Sequence, residues 1–277
     1  MSLVDEILLT TAISAALVAV LLIVIVGPER MATAIREIRP RLWTVAPYIG
    51  VMVAVLTGRA LTQEHAHELT MFLDVDVTWI IFGIEGGFVG QLQRIATPEL
   101  SAYFVFMYIF GYVVLIAFPA LAYFCLSPLT HLKELLSAYI INDVVGISIY
   151  IAVIALGPRN LGRGLAEPLL YDIYPNAAIL TGTVNVPINV FPSLHTSMAA
   201  TVMLFAWRTR QIFPVWSVIA VIYGISIIFS TMYLGIHWFI DVLAGGLLAV
   251  FAYYVSIAIV RRESIIVNRV AFIIPTR

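Results

Sequence analysis

Residues 102–125 read AYFVFMYIFGYVVLIAFPALAYFC, a run that contains no charged side chain. A helix needs about 20 apolar residues to cross the hydrocarbon core of a bilayer, so this run predicts a membrane span. Outward from it, the chain carries six more apolar segments, at 7–26, 42–57, 135–156, 192–209, 214–232 and 236–259. The sequence therefore predicts seven membrane-spanning helices.

The composition of the whole chain agrees with a membrane protein. Of its 277 residues, 62% are hydrophobic and 11% are charged, whereas soluble domains average about 25% charged residues. The formal net charge of −1 excludes a nucleic-acid partner, because binding to a phosphate backbone needs concentrated basic charge. Acidic Asp5 and Glu6 precede the first apolar segment, so we expect a span there and not a cleaved signal peptide.

The distribution of lysine and arginine predicts the orientation of the spans. With seven spans and the N-terminus outside, 11 of the 15 basic residues lie on the cytoplasmic side and 4 on the outer side, as positive-inside topology requires. If the apolar piece Val77–Gly90 also crossed, the better split would be 8 against 7. We therefore expect Val77–Gly90 to lie in the outer interface or to dip in from it. The loop 157–190, the start of the fifth span and the link 233–235 then share the outer face.

The first polar motif, FPSLHTS at 191–197, lies at the start of the fifth span. Proline is favoured in the first turn of a helix, so Pro192 is expected to open this span. The unpaired backbone N–H groups of that turn, including that of Leu194, together with the Ser193 hydroxyl would form an anion cradle, with His195 close to the anion. The alternative is a simple helix start with an incidental histidine.

The second motif contains Ser230, Thr231 and the stretch YLGIHWFID at 233–241. His237 and Asp241 are four residues apart, which puts them on one face of a helix. A carboxylate there fixes the imidazole tautomer and leaves the other ring nitrogen free as a base or nucleophile. Ionisable groups inside spans are costly and usually functional, although a buried pair that only joins helices remains the alternative. Together, the two motifs suit phosphoryl transfer without a metal.

These residues resemble the type 2 phosphatidic acid phosphatase superfamily over roughly residues 100–260, the expected catalytic core. Pro192-Ser193-x-His195 is similar to its Pro-Ser-x-His motif, and Ser230, His237 and Asp241 match its Ser-x6-His-x3-Asp pattern. The resemblance implies that His237 forms a phosphohistidine, that Asp241 orients it and that His195 protonates the leaving group. It also implies an all-α polytopic bundle within a single domain, 1–277, with a six-helix phosphatase-like core and one extra N-terminal span.

The chain departs from the superfamily pattern in two features. Thr231 replaces the usual arginine after the serine, and the Lys-x6-Arg-Pro motif is absent. A phosphoryl group needs a cationic clamp, and we expect Arg159 to supply it first and Arg163 second, unless both only bind lipid headgroups at the interface. With these departures, the chain resembles the subfamily of inositol phosphorylceramide synthases, in which an alcohol instead of water attacks the phosphohistidine.

The sequence thus predicts a multi-pass cell-membrane enzyme with its active site extracytoplasmic and its C-terminus cytoplasmic. Its expected partners are a lipid phosphate substrate, membrane lipids and, for a phosphotransferase, an alcohol headgroup as acceptor, with no cofactor. We do not expect a metal at His65 and His67, because histidines two residues apart do not share a helical face. A non-catalytic transporter or lipid-binding scaffold that keeps the His/His/Asp site is the alternative, although no internal repeat supports a transporter.

Overall fold

The computed structural model describes residues 3–162, 164–177 and 189–273 of the chain. These residues are mostly helical, and the only β-pairing among them consists of two isolated bridges, Asp76 with Ile154 and Ala155 with Asn189. Short π-helical turns, Leu22–Val26 and Met107–Gly111, extend α1 and join α6 to α7. In chain order the helices are α1 Leu3–Leu21, α2 Pro28–Arg36, α3 Ile38–Leu73, α4 Thr78–Glu85, α5 Phe88–Leu92, α6 Pro98–Phe106, α7 Tyr112–Phe124, α8 Thr130–Ala152, α9 Leu169–Ile173, α10 Leu194–Arg208, α11 Pro214–Tyr233 and α12 Phe239–Ile273.

Six helical stretches in the described part of the chain are long and apolar enough to cross a membrane. They correspond to six of the seven predicted segments, and the prediction of an all-α polytopic membrane bundle is confirmed. The six stretches are Leu3–Val26, Ile38–Gln63, Pro98–Phe124, Thr130–Ala152, Pro214–Tyr233 and Phe239–Ile266.

The fifth predicted span, 192–209, corresponds to a helix that is shorter than the six stretches above and lies at the centre of the bundle. Helix α10 has 15 residues, about 22 Å at 1.5 Å per residue, against a hydrocarbon core of about 30 Å. It packs against α7, α8, α11 and α12, and its Val202 and Phe205 are fully buried. Its neighbours surround it, so its apolar composition reflects burial in protein more than contact with lipid.

Helix α3 is much longer than the predicted second span, 42–57. It continues to Leu73 and ends at Asp74, which adopts a left-handed conformation with φ of 49°. Residues 58–73, which we expected to belong to a polar connection, are rich in Ala, Leu, Gln and Glu, which are strong helix formers. His65 and His67 therefore lie on a helix, where residues two apart do not share a face.

The ends of the spans meet in two groups. At one end, which we call the site end, the Glu6 carboxylate accepts hydrogen bonds from Tyr174 and Asn176, and Ser101 bonds with Tyr233 at 2.9 Å between hydroxyl oxygens. At the opposite end, Arg41 donates to the carbonyls of Phe124 and Leu126, at 2.9 and 2.6 Å. Successive helices thus alternate in direction, as the seven-segment topology predicted, and the N-terminal end of α1 lies at the site end.

The segment that carries α4 and α5 stays at the site end throughout. The Val77 N–H donates to the Ile154 carbonyl at 2.9 Å, and the Leu156 N–H donates to the Thr78 hydroxyl at 2.9 Å. Helix α4 has 8 residues and exposes Trp79, Ile80 and Ile84 by 51%, 63% and 70%. The segment is too short to cross, which agrees with the prediction for 77–90, and its exposed apolar side chains suit the lipid interface.

Candidate active site

His237 lies in the link between α11 and α12, where a left-handed turn reverses the chain. Gly235 has φ of +71°, a conformation that glycine adopts without steric cost. The N–H groups of Ile236 and His237 both donate to the Thr231 carbonyl, at 3.0 Å each. Thr231, which stands where the superfamily pattern has an arginine, therefore supports the turn through its carbonyl.

Asp241 lies in the first turn of α12 and reaches back to His237. Helix α12 begins at Phe239, so the expectation that both residues share one helical face was wrong. The Asp241 Oδ2 atom accepts the Trp238 N–H at 2.9 Å and lies 3.4 Å from His237 Nδ1, longer than a typical hydrogen bond. Asp241 is fully buried and His237 is 4% exposed. The carboxylate therefore faces Nδ1 and leaves Nε2 available for chemistry.

Glu85 holds the start of α12 from the interfacial segment. Its carboxylate accepts the N–H groups of Phe239, at 2.9 Å, and Ile240, which lie in the turn that carries Asp241. Burial raises the pKa of Glu85, the two backbone donors lower it, and the negative charge of Asp241 raises it further. Sequence reasoning did not assign Glu85 to the site. The available signal was a carboxylate inside a short apolar segment.

His195 lies one residue into α10 and packs on aromatic rings. Its ring centroid is 4.5 Å from that of Tyr108 and 4.2 Å from that of Tyr112. It also interacts electrostatically with His237. The structure therefore brings His195, His237 and Asp241 together at the site end, and their roles in a reaction stay predictions. The two tyrosines, which sequence reasoning did not single out, form one wall of the site.

The predicted anion cradle at Ser193 and Leu194 already has internal partners. The Ser193 N–H donates to the Asp241 carbonyl at 3.0 Å, and the Ser193 hydroxyl accepts the Thr196 N–H at 3.3 Å as the N-cap. The Leu194 N–H bonds with the Tyr150 hydroxyl. Pro192 precedes the N-cap and does not open the helix, so that expectation was wrong. In this structure Ser193 joins α10 to the turn that carries Asp241.

Arg159 faces the site from the segment that follows α8. Its backbone N–H donates to the Gly235 carbonyl at 3.1 Å, two residues before His237. Its Nη2 donates to the Tyr171 hydroxyl at 3.1 Å, while Nη1 is buried without a hydrogen-bond partner in the described residues. Arg159 also interacts electrostatically with Tyr108, which stacks on His195. Arg163, the second expected clamp residue, lies outside the described residues.

The arrangement brings a buried carboxylate, two imidazoles and one guanidinium nitrogen without a partner to the same end of the bundle. An imidazole held by a carboxylate can act as a nucleophile or a base, and a second imidazole can move the proton of a leaving group. A buried guanidinium N–H without an acceptor is costly, and an anion such as a phosphoryl oxygen would satisfy it.

Comparison with known proteins agrees with this chemistry. A family model described as the PAP2 superfamily matches residues 78–255. The matched range includes Glu85, Arg159, both histidines and Asp241. No curated protein and no solved structure matches the chain.

Proposed function

Because the chain belongs to the PAP2 superfamily, we propose that it is a membrane phosphatase or phosphotransferase that acts on lipid phosphates through a phosphohistidine at His237. The observation that carries this proposal is the pairing of His237 Nδ1 with the buried Asp241 carboxylate. That pairing leaves Nε2 free to attack the phosphorus atom of a lipid phosphate. The superfamily's phosphatase-type activity agrees with it.

In the proposed first step, His237 Nε2 attacks phosphorus, and the bond from phosphorus to the lipid oxygen breaks. Asp241 stabilises the imidazolium that forms, because its carboxylate faces the Nδ1–H group and carries the opposite charge. His195 supplies a proton to the departing lipid oxygen. Arg159 donates to the phosphoryl oxygens through Nη1, with Ser193, Leu194 and Arg163 as the further contacts that the sequence predicted. No step requires a metal ion.

In the second step, a hydroxyl group attacks the phosphohistidine, the bond from phosphorus to nitrogen breaks, and His195 takes the hydroxyl proton. Water as the acceptor makes the protein a phosphatase, and an alcohol headgroup makes it a phosphotransferase. The resemblance to the inositol phosphorylceramide synthase subfamily supports the second possibility. The balance between the two depends on how well the site excludes water.

We also propose that the site faces the extracytoplasmic side of the cell membrane, with the C-terminus cytoplasmic. The support is the distribution of basic residues. Arg41 lies at the end opposite the site, as do Lys133, which pairs with Glu263 at 3.0 Å, and Arg208, which pairs with Glu134 at 3.0 Å. Basic residues concentrate on the cytoplasmic side of membrane proteins.

Phosphate release tests the proposed function. The full-length protein in detergent micelles is mixed with didecanoyl phosphatidic acid, with and without EDTA. We expect phosphate release that EDTA does not reduce, its loss in His237→Ala, and an unchanged rate in the control Arg94→Gln, which removes an exposed arginine. Full activity of His237→Ala would refute the mechanism. Binding of the lipid without turnover would instead indicate a non-catalytic transporter or scaffold.

A further inference from the structure

An ion pair between α3 and α8 lies at the site end, outside the residues discussed so far. Arg59 Nη1 donates to Asp143 Oδ1 at 3.1 Å, and the two side chains are 34% and 17% exposed. Arg59 lies before the range that the superfamily model matches, 78–255. Asp143 lies within that range.

Helix α8 carries Asp143 along the start of the helix that bears His195. Asp143, Gly146 and Tyr150 are three and four residues apart, so they share one face of α8. A Cβ atom at Gly146 would lie 2.2 Å from Leu194 Cδ2, and the Tyr150 hydroxyl bonds with the Leu194 N–H. This face of α8 therefore runs beside residue 194, and Asp143 lies about one helical turn from the contact with it.

Tyr112 connects the ion pair to the histidine. Its ring centroid is 4.2 Å from that of His195, and its hydroxyl interacts electrostatically with both Arg59 and Asp143. Arg59 also interacts with the hydroxyl of Tyr150, which in turn interacts with Asp241. The pair thus lies near the aromatic wall on which His195 packs.

The pair has an open hydrogen-bonding position. Asp143 Oδ2 is buried and has no hydrogen-bond partner within the described part of the chain, and a buried acceptor without a donor is costly. Arg59 already neutralises the charge of Asp143, so the pair attracts neither a second phosphate nor an ammonium group strongly. An uncharged hydroxyl group suits it, because a hydroxyl can donate to Oδ2 and accept from the guanidinium.

We propose that Arg59 and Asp143 form a headgroup subsite that binds an uncharged, hydroxyl-bearing group beside the reacting histidines. This inference rests on the proposed function. The hydroxyl group can belong to an alcohol that accepts the phosphoryl group from His237, with its proton passing to His195. It can also belong to the headgroup of a phosphodiester lipid. In that case His237 attacks phosphorus, diacylglycerol leaves with a proton from His195, and the headgroup stays bound to phosphorus. Water then attacks the phosphohistidine and releases the headgroup phosphate.

Two reactions with one common product test this subsite in the full-length protein. In the first, didecanoyl phosphatidic acid reacts in the presence of glycerol; in the second, phosphatidylglycerol reacts with water. Glycerol phosphate is the product in both, and the arm that yields it identifies the source of the hydroxyl group. Ethanolamine replaces glycerol as a cationic alcohol of similar size. Free phosphate from phosphatidic acid is measured in parallel.

We expect the wild-type protein to form glycerol phosphate in at least one arm and to favour glycerol over ethanolamine. Asp143→Asn and Arg59→Gln each remove a hydrogen bond to a charged group, and we expect the product measured in each arm to fall about tenfold. In the first arm, the quantity that falls is the ratio of glycerol phosphate to free phosphate. In the second arm, it is the rate of glycerol phosphate release relative to the rate of phosphatidic acid hydrolysis. The control Arg94→Gln, which replaces an exposed arginine at the same end, should leave both the ratio and the rate unchanged. A general loss of fold would lower all products together and would not change the ratio.

The subsite is refuted if both variants keep the wild-type ratio. That result would be expected if a water molecule, and not a substrate hydroxyl, donated a hydrogen bond to Asp143 Oδ2. It is also refuted if ethanolamine serves as well as glycerol, or if the wild-type protein releases phosphate but forms no glycerol phosphate in either arm. A wild-type protein that forms neither phosphate nor glycerol phosphate instead overturns the proposed function itself.

Discussion

Gly245 allows the two halves of the candidate site to meet, and Gly245→Ala should therefore separate them. Gly245 lies four residues after Asp241 on α12. A Cβ atom there would lie 2.4 Å from the Ser193 carbonyl oxygen, whereas ordinary van der Waals contact begins at 3.4 Å. The obstacle is backbone, which cannot rotate away, so α10 and α12 must move apart by about 1 Å. Overpacking of this kind costs about 1–3 kcal/mol.

The shift should affect activity more than folding. Ser193 immediately precedes the helical turn that carries His195, so a displacement of about 1 Å moves His195 away from His237 and Asp241. Misplacement of reacting groups by about 1 Å costs about a hundredfold in rate. We expect kcat/KM for phosphate release from didecanoyl phosphatidic acid to fall by about that factor, while the protein still purifies as a folded species.

Gly246→Ala is the matched control for this prediction. It places the same methyl group on the next residue of the same helix, where no heavy atom lies within 4 Å. Alanine also favours the helix over glycine by about 1 kcal/mol at both positions, so helix propensity cancels in the comparison. Gly246→Ala should keep wild-type activity. Equal activity of the two variants would refute the claim that this contact sets the geometry of the site.

Three further substitutions test individual contacts of the site. Asp241→Asn should lower kcat by a factor on the order of 10³ to 10⁴ without unfolding the protein, because the amide neither holds one imidazole tautomer nor stabilises the imidazolium. A rate within tenfold of wild type would contradict this prediction. Arg159→Lys should lower kcat/KM for phosphatidic acid about tenfold, because an ammonium group cannot contact Tyr171 and a phosphoryl oxygen in the same fork geometry; an unchanged value would remove Arg159 from the clamp. Glu85→Gln should lower thermal stability and kcat together, because the amide oxygen can replace only one of the two carboxylate acceptors, at a cost of about 1–3 kcal/mol. The control Glu99→Gln changes an exposed glutamate and should alter neither quantity. If both variants behave alike in melting and rate measurements, Glu85 does not support the turn.

Hydropathy and motif spacing predicted the bundle and the superfamily correctly. The apolar run 102–125 overlaps the candidate span Pro98–Phe124 in all but its last residue, because a long uncharged run has few alternatives to a membrane helix. The motif at His195, which precedes the one at His237, lies within the range that the superfamily model matches. The count of basic residues predicts the orientation of the bundle in the membrane, and that orientation stays a prediction.

The details that failed depend on tertiary contacts. The apolar character of 192–209 does not distinguish lipid from protein surroundings, and four neighbouring helices pack around α10. The spacing of His237 and Asp241 is the same in a helix and in a link that leads into one, and the turn at Gly235 decides between them. Glu85 and Arg59 reach the site from helices that are distant in sequence, and no local pattern connects them to the histidines.

The central claim is that His237 carries the phosphoryl group, and isolation of the phosphoenzyme tests it most directly. The full-length protein is mixed briefly with phosphatidic acid labelled in its phosphate, quenched in alkali, digested and analysed by mass spectrometry. We expect the label on the nitrogen of His237, its absence in His237→Ala and its presence in Arg94→Gln. Turnover without any labelled enzyme, or label on another residue such as His195, would contradict the account.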